Sequence, residues 1–322
     1  ELPFNLVGTL GYQGSRSNNF VRIEPLHLTM TPSTTFRPVF FGVSDVYGYY
    51  NAMNARLQRR FSNGFQFDLN YRFAKSLDSY SFEAPCACTN QTYPIDQKEE
   101  FGLSDFDVRH FVTLSGLWDL PFFRSQRSWV GKLLGGWQLG GIMTRHTGFP
   151  WTPTISGSIR GPNGEFFGPI RPVAYYGERP ANNSNENFLR AGGLFPNNLI
   201  VNASGQRVDC NAGAGCSRYF STVLNGNSFV NNPPGIGRNT FFGPKYFNLD
   251  MSVQKRFGLP SFGVLGENPK FDVRFNFFNI LNSQNIAPLG SASSNRVNEP
   301  NFGEGTALLA GRVIELQLRF SF

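Results

Sequence analysis

The sequence predicts an all-β fold, an antiparallel transmembrane β-barrel wall of about eight strands. Three observations carry that expectation. Apolar and polar residues alternate with period two over several stretches, which gives each stretch one oily and one wet face. The connections between these stretches are alternately long and short, the construction rule of membrane-spanning barrels. Finally, 34 Phe, 11 Tyr and 4 Trp make the chain 15% aromatic against only 16% charged, where soluble domains run at about 25% charged.

From the N-terminus, residues 4–12 present Phe4, Leu6, Gly8, Leu10 and Tyr12 on one side. Residues 48–60 are ambiguous, because Met53, Leu57 and Phe61 also fit a helical spacing. The short turn Ser62-Asn63-Gly64 resolves them as the first arm of a hairpin. In the second arm, 65–75, Phe65, Phe67, Leu69, Tyr71 and Phe73 alternate with Gln66, Asp68, Asn70, Arg72 and Ala74. Val112, Leu114, Gly116, Trp118 and Leu120 form one face of 108–120, and Trp137, Leu139, Gly141 and Met143 one face of 137–148. Phe247, Leu249, Met251, Val253 and Phe257 alternate with Asn248, Asp250, Ser252, Gln254 and Arg256. Phe271, Val273, Phe275 and Phe277 alternate with Asp272, Arg274 and Asn276. Last come Ile314, Leu316, Leu318, Phe320 and Phe322 against Glu315, Gln317, Arg319 and Ser321.

In a barrel the Phe/Leu/Val faces meet lipid and the polar faces meet the lumen. Asp68, Asn70, Arg72, Asp250, Gln254, Arg256, Asp272, Arg274, Glu315, Gln317 and Arg319 are therefore expected to face the lumen, where exposed pairs contribute well under about 1 kcal/mol each. The long connections, 13–47, 76–107, 149–245 and 282–309, are expected to be extracellular, and the short ones, 121–136 and 258–268, periplasmic. The Asn, Gly, Pro and aromatic content of 149–245 suits adaptable surface recognition.

Other classes fit worse. Disorder requires few aromatics. A membrane helix needs about 20 consecutive apolar residues, whereas the longest runs here resemble Pro38–Val43 and the mean hydropathy is −0.27. A net charge of +7 is carried mostly by Arg without a basic run, so nucleic acid is not indicated. A soluble β-sandwich shares the alternation, but its strands average about 5–6 residues and its loops are short. The four cysteines form two close pairs in polar loops, Cys86 with Cys88 and Cys210 with Cys216. That placement suits disulfides in an oxidising compartment, with the connectivity open. A zinc site prefers C-x2-C spacing with His nearby, and His27, His110 and His146 are distant in sequence.

Several motifs, in order, resemble one family. They are Tyr49-Tyr50-Asn51-Ala52-Met53, Arg59-Arg60-Phe61-Ser62-Asn63-Gly64-Phe65, Tyr71 to Asp78, Asp105-Phe106-Asp107-Val108-Arg109-His110 and Gly136-Trp137-Gln138-Leu139. Gly148-Phe149-Pro150-Trp151, Gly237-Arg238-Asn239 and Phe277-Phe278-Asn279-Ile280-Leu281-Asn282 follow. Together they resemble the barrel of TonB-dependent outer-membrane receptors, of the Oar-like acidobacterial type with a carboxypeptidase-regulatory-like domain. The terminal Arg319-Phe320-Ser321-Phe322 is similar to the aromatic signal for barrel insertion, with Leu316, Leu318, Phe320 and Phe322 as its apolar residues. The resemblance implies a bacterial outer-membrane location and lipid and the barrel-assembly machinery as partners. It also implies a plug, a TonB partner acting through that plug, and roughly 22 strands. With no plug and about eight strands, the chain is expected to be the C-terminal part of a larger barrel. The competing expectation is a small closed barrel of eight strands.

No catalytic constellation is evident, and no cofactor is expected. Gly131-Lys132 lacks the upstream glycine of a phosphate loop, there is no G-x-S-x-G, and the three His are isolated. Asp105 and Asp107 fall short of the six to eight oxygens that Ca2+ takes and read as the cap of the following strand. Gly213 and Gly215 suit close backbone approach in a loop rather than phosphate binding. The expected function is uptake of a large, scarce solute by a TonB-dependent transporter. The alternative is a structural protein or adhesin that acts through its long loops.

Overall fold

The computed structural model describes residues 5–25, 40–81, 97–123, 128–155, 159–160, 166–167, 171–177, 180–199, 204, 217–223, 234–258, 269–289 and 294–321. All four cysteines, His27, Phe4, Phe322, Gly213 and Gly215 lie outside the described residues. The disulfide expectation and the last residue of the insertion signal therefore lie outside them too.

Eight long strands run as one antiparallel meander, each paired with its sequence neighbour. They are β1 (Leu6–Pro25), β2 (Phe40–Ser62), β3 (Phe65–Asp78), β4 (His110–Asp119), β5 (Trp137–His146), β6 (Tyr246–Gly258), β7 (Lys270–Phe278) and β8 (Val313–Ser321). A two-residue strand, Gly102–Leu103, pairs with the end of β3. The hairpin turn between β2 and β3 holds Asn63 at φ 53 and Gly64 at φ 82. Two consecutive positive φ values match the right-handed twist of the flanking strands, which is why Asn-Gly stands there.

Register places the alternating residues on two consistent faces. Leu318 opposes Val273, Val273 opposes Lys255, and Lys255 opposes Trp137. The same face continues through Leu139, Trp118, Phe65 and Leu69 to Leu57 and Gly8. On the other face Arg319 opposes Asp272 and Asp272 opposes Arg256, while Gln317, Arg274, Gln254 and Gln138 form the next row. A slip of one residue would exchange the faces outright, so side-chain chemistry fixes the register.

Two expectations need correction. The connection 13–47 is largely strand: β1 spans 20 residues and β2 spans 23. Pairing continues from Gln13 opposite Ala52 up to Pro25 opposite Phe40, with a shift in register between Ser17 and Val21. Ser15, Arg16, Ser17, Asn18 and Asn19 obscure the period, yet a paired backbone needs no apolar face where both sides are wet. The Arg22–Asp45 ion pair, 2.7 Å, ties this extension together. The closed eight-stranded barrel is the second correction. Among the described residues β1 and β8 are the two ends of the sheet and do not pair with one another, so the sheet is open.

Little of the sheet's apolar surface is buried. Leu10 is 73% exposed, Tyr12 76%, Leu316 57% and Leu318 58%. The hydrophobic core lies instead in the connections above one end of the sheet. It gathers Trp151, Phe188, Leu194, Phe195, Tyr219, Phe220, Ile236 and Phe241 from 149–245 with Ile286, Leu289, Val297 and Phe302 from 282–309. The described residues of those two connections pack into one core rather than two independent loops.

Candidate functional site: a polar trough beneath a folded cap

The polar face of the sheet curves around a trough of about 560 Å³, lined from β2 to β7 by residues including Gln58, Asp68, Ser115, Asp250, Ser252 and Arg274. Of the eleven polar residues predicted for one face, all eleven share it by register. Their charges are largely committed to neighbours. Asp68 accepts from Arg56 Nε at 2.9 Å and from Asn70 Nδ2 at 3.0 Å. Asp272 accepts from Arg256 Nε at 2.7 Å, and Arg274 donates to Asn276 at 2.8 Å. Asp250 Oδ1 accepts from Asn248 Nδ2 at 2.9 Å and the Asn279 backbone N–H at 2.8 Å, which anchors the turn after β7. Sequence reasoning missed Arg56, whose strand gave no clean period. Glu315, Gln317 and Arg319 stand opposite Asn276, Arg274 and Asp272.

At the cap end the trough is crossed by one row of residues, one from each of four strands. Arg72, Phe111, His146 and Tyr246 are consecutive register partners on β3, β4, β5 and β6. The Arg72 guanidinium sits 5.1 Å from the Phe111 ring centre. The His146 imidazole stacks on Phe111 (5.8 Å, 8°) and on Tyr246 (4.9 Å, 11°) and meets Phe149 of the cap edge-on at 5.5 Å. His146 is thus a floor tile of the cap. His110 lies on the opposite face and bonds Tyr71 through Nδ1 at 2.8 Å.

The cap is held by aromatic packing and by buried ions. Phe195, fully buried, stacks on Phe302 at 4.9 Å and meets Tyr219, Phe220 and Phe241 edge-on at 5.1–5.3 Å. The chain passes Gly193 at φ +52, where an added Cβ would lie 1.7 Å from the Gly303 carbonyl oxygen. Only glycine fits both the angle and the approach. Backbone bonds from Thr154 to Asn295 O (2.8 Å) and from Val297 to Thr154 O (2.7 Å) stitch the two connections together. Among the described residues of 149–245 there is thus a packed core, where the composition alone suggests adaptable surface recognition.

Beneath the core lies a charged clamp. Arg171, 1% exposed, donates to Glu100 Oε1 at 2.7 Å, to Glu99 O at 3.0 Å and to Ile236 O at 3.2 Å. Burial pushes the Arg171 guanidinium below its ordinary range, and Glu100 opposes that shift. Arg238 donates to the Asp78 carboxylate, to Asp78 O at 2.6 Å, to Glu100 O at 3.0 Å and to Ser81 Oγ at 2.9 Å. Asn239 donates to Asp105 Oδ1 at 2.6 Å and to Leu103 O at 2.7 Å. Asp107 Oδ1 accepts the Ser76 backbone N–H at 2.6 Å. Asp105 and Asp107 thus serve different protein donors and do not converge on a common point, and no cluster of three or more metal-ligating side chains occurs among the described residues. The Gly237-Arg238-Asn239 and Asp105-Phe106-Asp107 motifs, far apart in sequence, meet here. The clamp joins the 76–107 connection, the end of β3 and the cap.

Among the described residues the arrangement combines a charge-paired wall, an aromatic row and a packed cap. The profile of the family described as Outer membrane beta barrel domain matches residues 1–315. No curated protein matches the chain.

Proposed function

We propose, for a chain that belongs to the outer membrane beta barrel domain family and resides in the bacterial outer membrane, that it forms part of the wall of a larger, TonB-dependent uptake barrel. The solute would be large and scarce, and a plug elsewhere in the receptor would couple its release to TonB. The observation that carries the reading is the open sheet. Two unpaired edge strands in hydrocarbon would leave a row of backbone donors and acceptors unsatisfied, each costing several kcal/mol. That cost supports further strands flanking β1 and β8 when the sheet sits in a bilayer. The ordered motifs supply the TonB-dependent part of the reading. The polar trough beneath a folded cap suits a solute path, and in this reading the eleven polar residues face that path, 76–107, 149–245 and 282–309 are extracellular, and the chain is a transporter wall rather than an enzyme.

Two measurements test it. The folded protein extracted in mild detergent should migrate two to three times above the 36.0 kDa of this chain; a heat-modifiable monomer near that mass would favour a small barrel that displays its cap. Cells should accumulate ferric chelates, oligosaccharides or peptides from a labelled panel through this protein only when TonB is present. Accumulation that survives loss of TonB would overturn the uptake mechanism and leave the wall standing.

A further inference from the structure

The connection between β4 and β5 ends in a short helix, α1 (Trp129–Leu134), capped at its start by Ser128 Oγ, which accepts the Gly131 N–H at 3.0 Å. What this connection exposes is large and apolar. Trp129 is 78% exposed, Phe122 60%, Leu133 57%, Phe123 52% and Leu134 50%. Lys132 beside them is exposed as well. From Leu120 to Gly136 the sequence holds three basic residues and no acidic one.

The position of this hook is enforced from the sheet. Lys255 interrupts the apolar face of β6, between Val253 and Phe257, and is only 1% exposed. Its ammonium group donates to Leu133 O at 2.9 Å and to Gly135 O, and sits 5.1 Å from the Trp137 ring centre and 4.9 Å from that of Phe257. Trp137 Nε1 also donates to Leu133 O, at 3.3 Å. A cation and an indole N–H thus cap the helix C-terminus, where carbonyls lack intrahelical partners and the dipole is negative. Gly135 closes the hook, since a Cβ there would meet Phe123 O at 2.2 Å. The hook is therefore fastened against the outward apolar face of the sheet, at the end opposite the cap, with its own apolar side chains turned away from the protein.

We propose that Phe122, Phe123, Trp129, Leu133 and Leu134, with Lys132, form an anchor for anionic phospholipid in the leaflet that the short connections face. Continuity with the apolar face of the sheet puts the hook at the rim of the hydrocarbon. Trp and Phe are the residues that settle at that boundary. Lys132, in a connection whose sequence from Leu120 to Gly136 carries no carboxylate, favours an anionic headgroup over a zwitterionic one. The inference rests on the membrane-wall reading, though not on TonB or on any solute.

The test uses the intact barrel in vesicles that contain brominated phosphatidylglycerol or brominated phosphatidylcholine. The Trp129 signal is isolated by subtracting Trp129→Phe, and the Trp118 signal by subtracting Trp118→Phe. Trp129 should be half-quenched at an about fivefold lower mole fraction of the anionic lipid, the factor that roughly 1 kcal/mol per basic residue near the surface gives. Lys132→Gln should bring the two lipids closer together. Equal quenching in wild type would overturn the headgroup preference. Quenching of Trp118 without Trp129 would overturn the anchor and assign the hook to a protein partner. Quenching of neither would overturn the anchor together with the membrane wall beneath it.

Discussion

Glu100→Gln should loosen the cap while the strands remain folded. Glu100 is 0% exposed and Arg171 1%, so both charges are removed from water and each depends on the other. Gln keeps an acceptor for the Arg171 N–H at 2.7 Å but removes the countercharge. The buried guanidinium would then feel the charge of Arg238 without that of Glu100 to offset it, and Arg238 itself stays held by Asp78. Breaking a buried pair from one side costs about 3–5 kcal/mol. At 1.36 kcal/mol per decade that raises the open population of the cap by roughly two to four orders of magnitude. Protease cleavage within the cap of the purified, detergent-folded protein reports that population when reclosing outpaces cutting. The cleavage rate should therefore rise at least about a hundredfold, with far-UV strand signal unchanged. The double variant Glu100→Leu/Arg171→Met, which removes both charges, should recover most of the loss. A rise of less than tenfold, or a double variant as labile as the single one, would refute the claim that this pair fastens the cap.

Three more outcomes follow from the geometry. Phe195→Ala should destabilise the cap by about 3–5 kcal/mol, the usual cost of emptying a fully buried aromatic site, read as lost amide protection across 180–199 with the sheet amides unaffected. Lys255→Met should cost up to about 2 kcal/mol at the β4–β5 connection by removing the cation from a helix C-terminus; hydrogen exchange at Lys132–Gly135 measures it, and unchanged rates would mean the carbonyls are satisfied without it. Leu318→Arg should cost about 2–4 kcal/mol in urea titrations of the intact barrel in lipid, against almost nothing for Gln317→Arg, because Leu318 opposes Val273 on the apolar face and Gln317 opposes Arg274 on the other. Equal penalties would mean that both faces see one medium.

The strands were legible where chemistry repeats every second residue. Phe65 to Phe73 and Ile314 to Phe320 read correctly because each apolar residue must lie on one face. The same signal fails for the upper half of the β1–β2 hairpin, where Ser17, Asn18, Asn19 and Ser44 sit with water on both sides and no periodic demand acts on the sequence. It also passes over Lys255, since an alternation pattern registers the polar residue as an interruption and not as a helix cap. The cap was illegible for a different reason. Phe188, Phe195, Phe220, Val297 and Phe302 arrive singly in Gly- and Asn-rich sequence, and no period relates them. Only tertiary contact over long separations makes them one core. Of the clamp, Arg238 and Asp105 were visible within motifs, but their meeting follows from a fold in which residues 133 positions apart in sequence become neighbours.

These two halves draw their stability from different sources. The cap resembles a small water-soluble domain turned upside down onto a sheet. Its aromatics bury one another, and its ions are paired inside, so its stability is written in its own side chains. The sheet has the reverse economy. Among the described residues its large apolar side chains stay exposed on one face, its polar side chains pair across the other, and both edge strands offer unpaired backbone. In water such a sheet exposes a contiguous apolar surface far beyond what a monomer tolerates. In a bilayer, lipid replaces water on that face, and in the proposed larger barrel flanking strands would complete the ladders. Mutations in the cap should therefore act alike in detergent and in lipid, whereas those on the outward face of the sheet should change rank with the surrounding medium. That dependence is the physical signature of a wall whose core is the membrane itself.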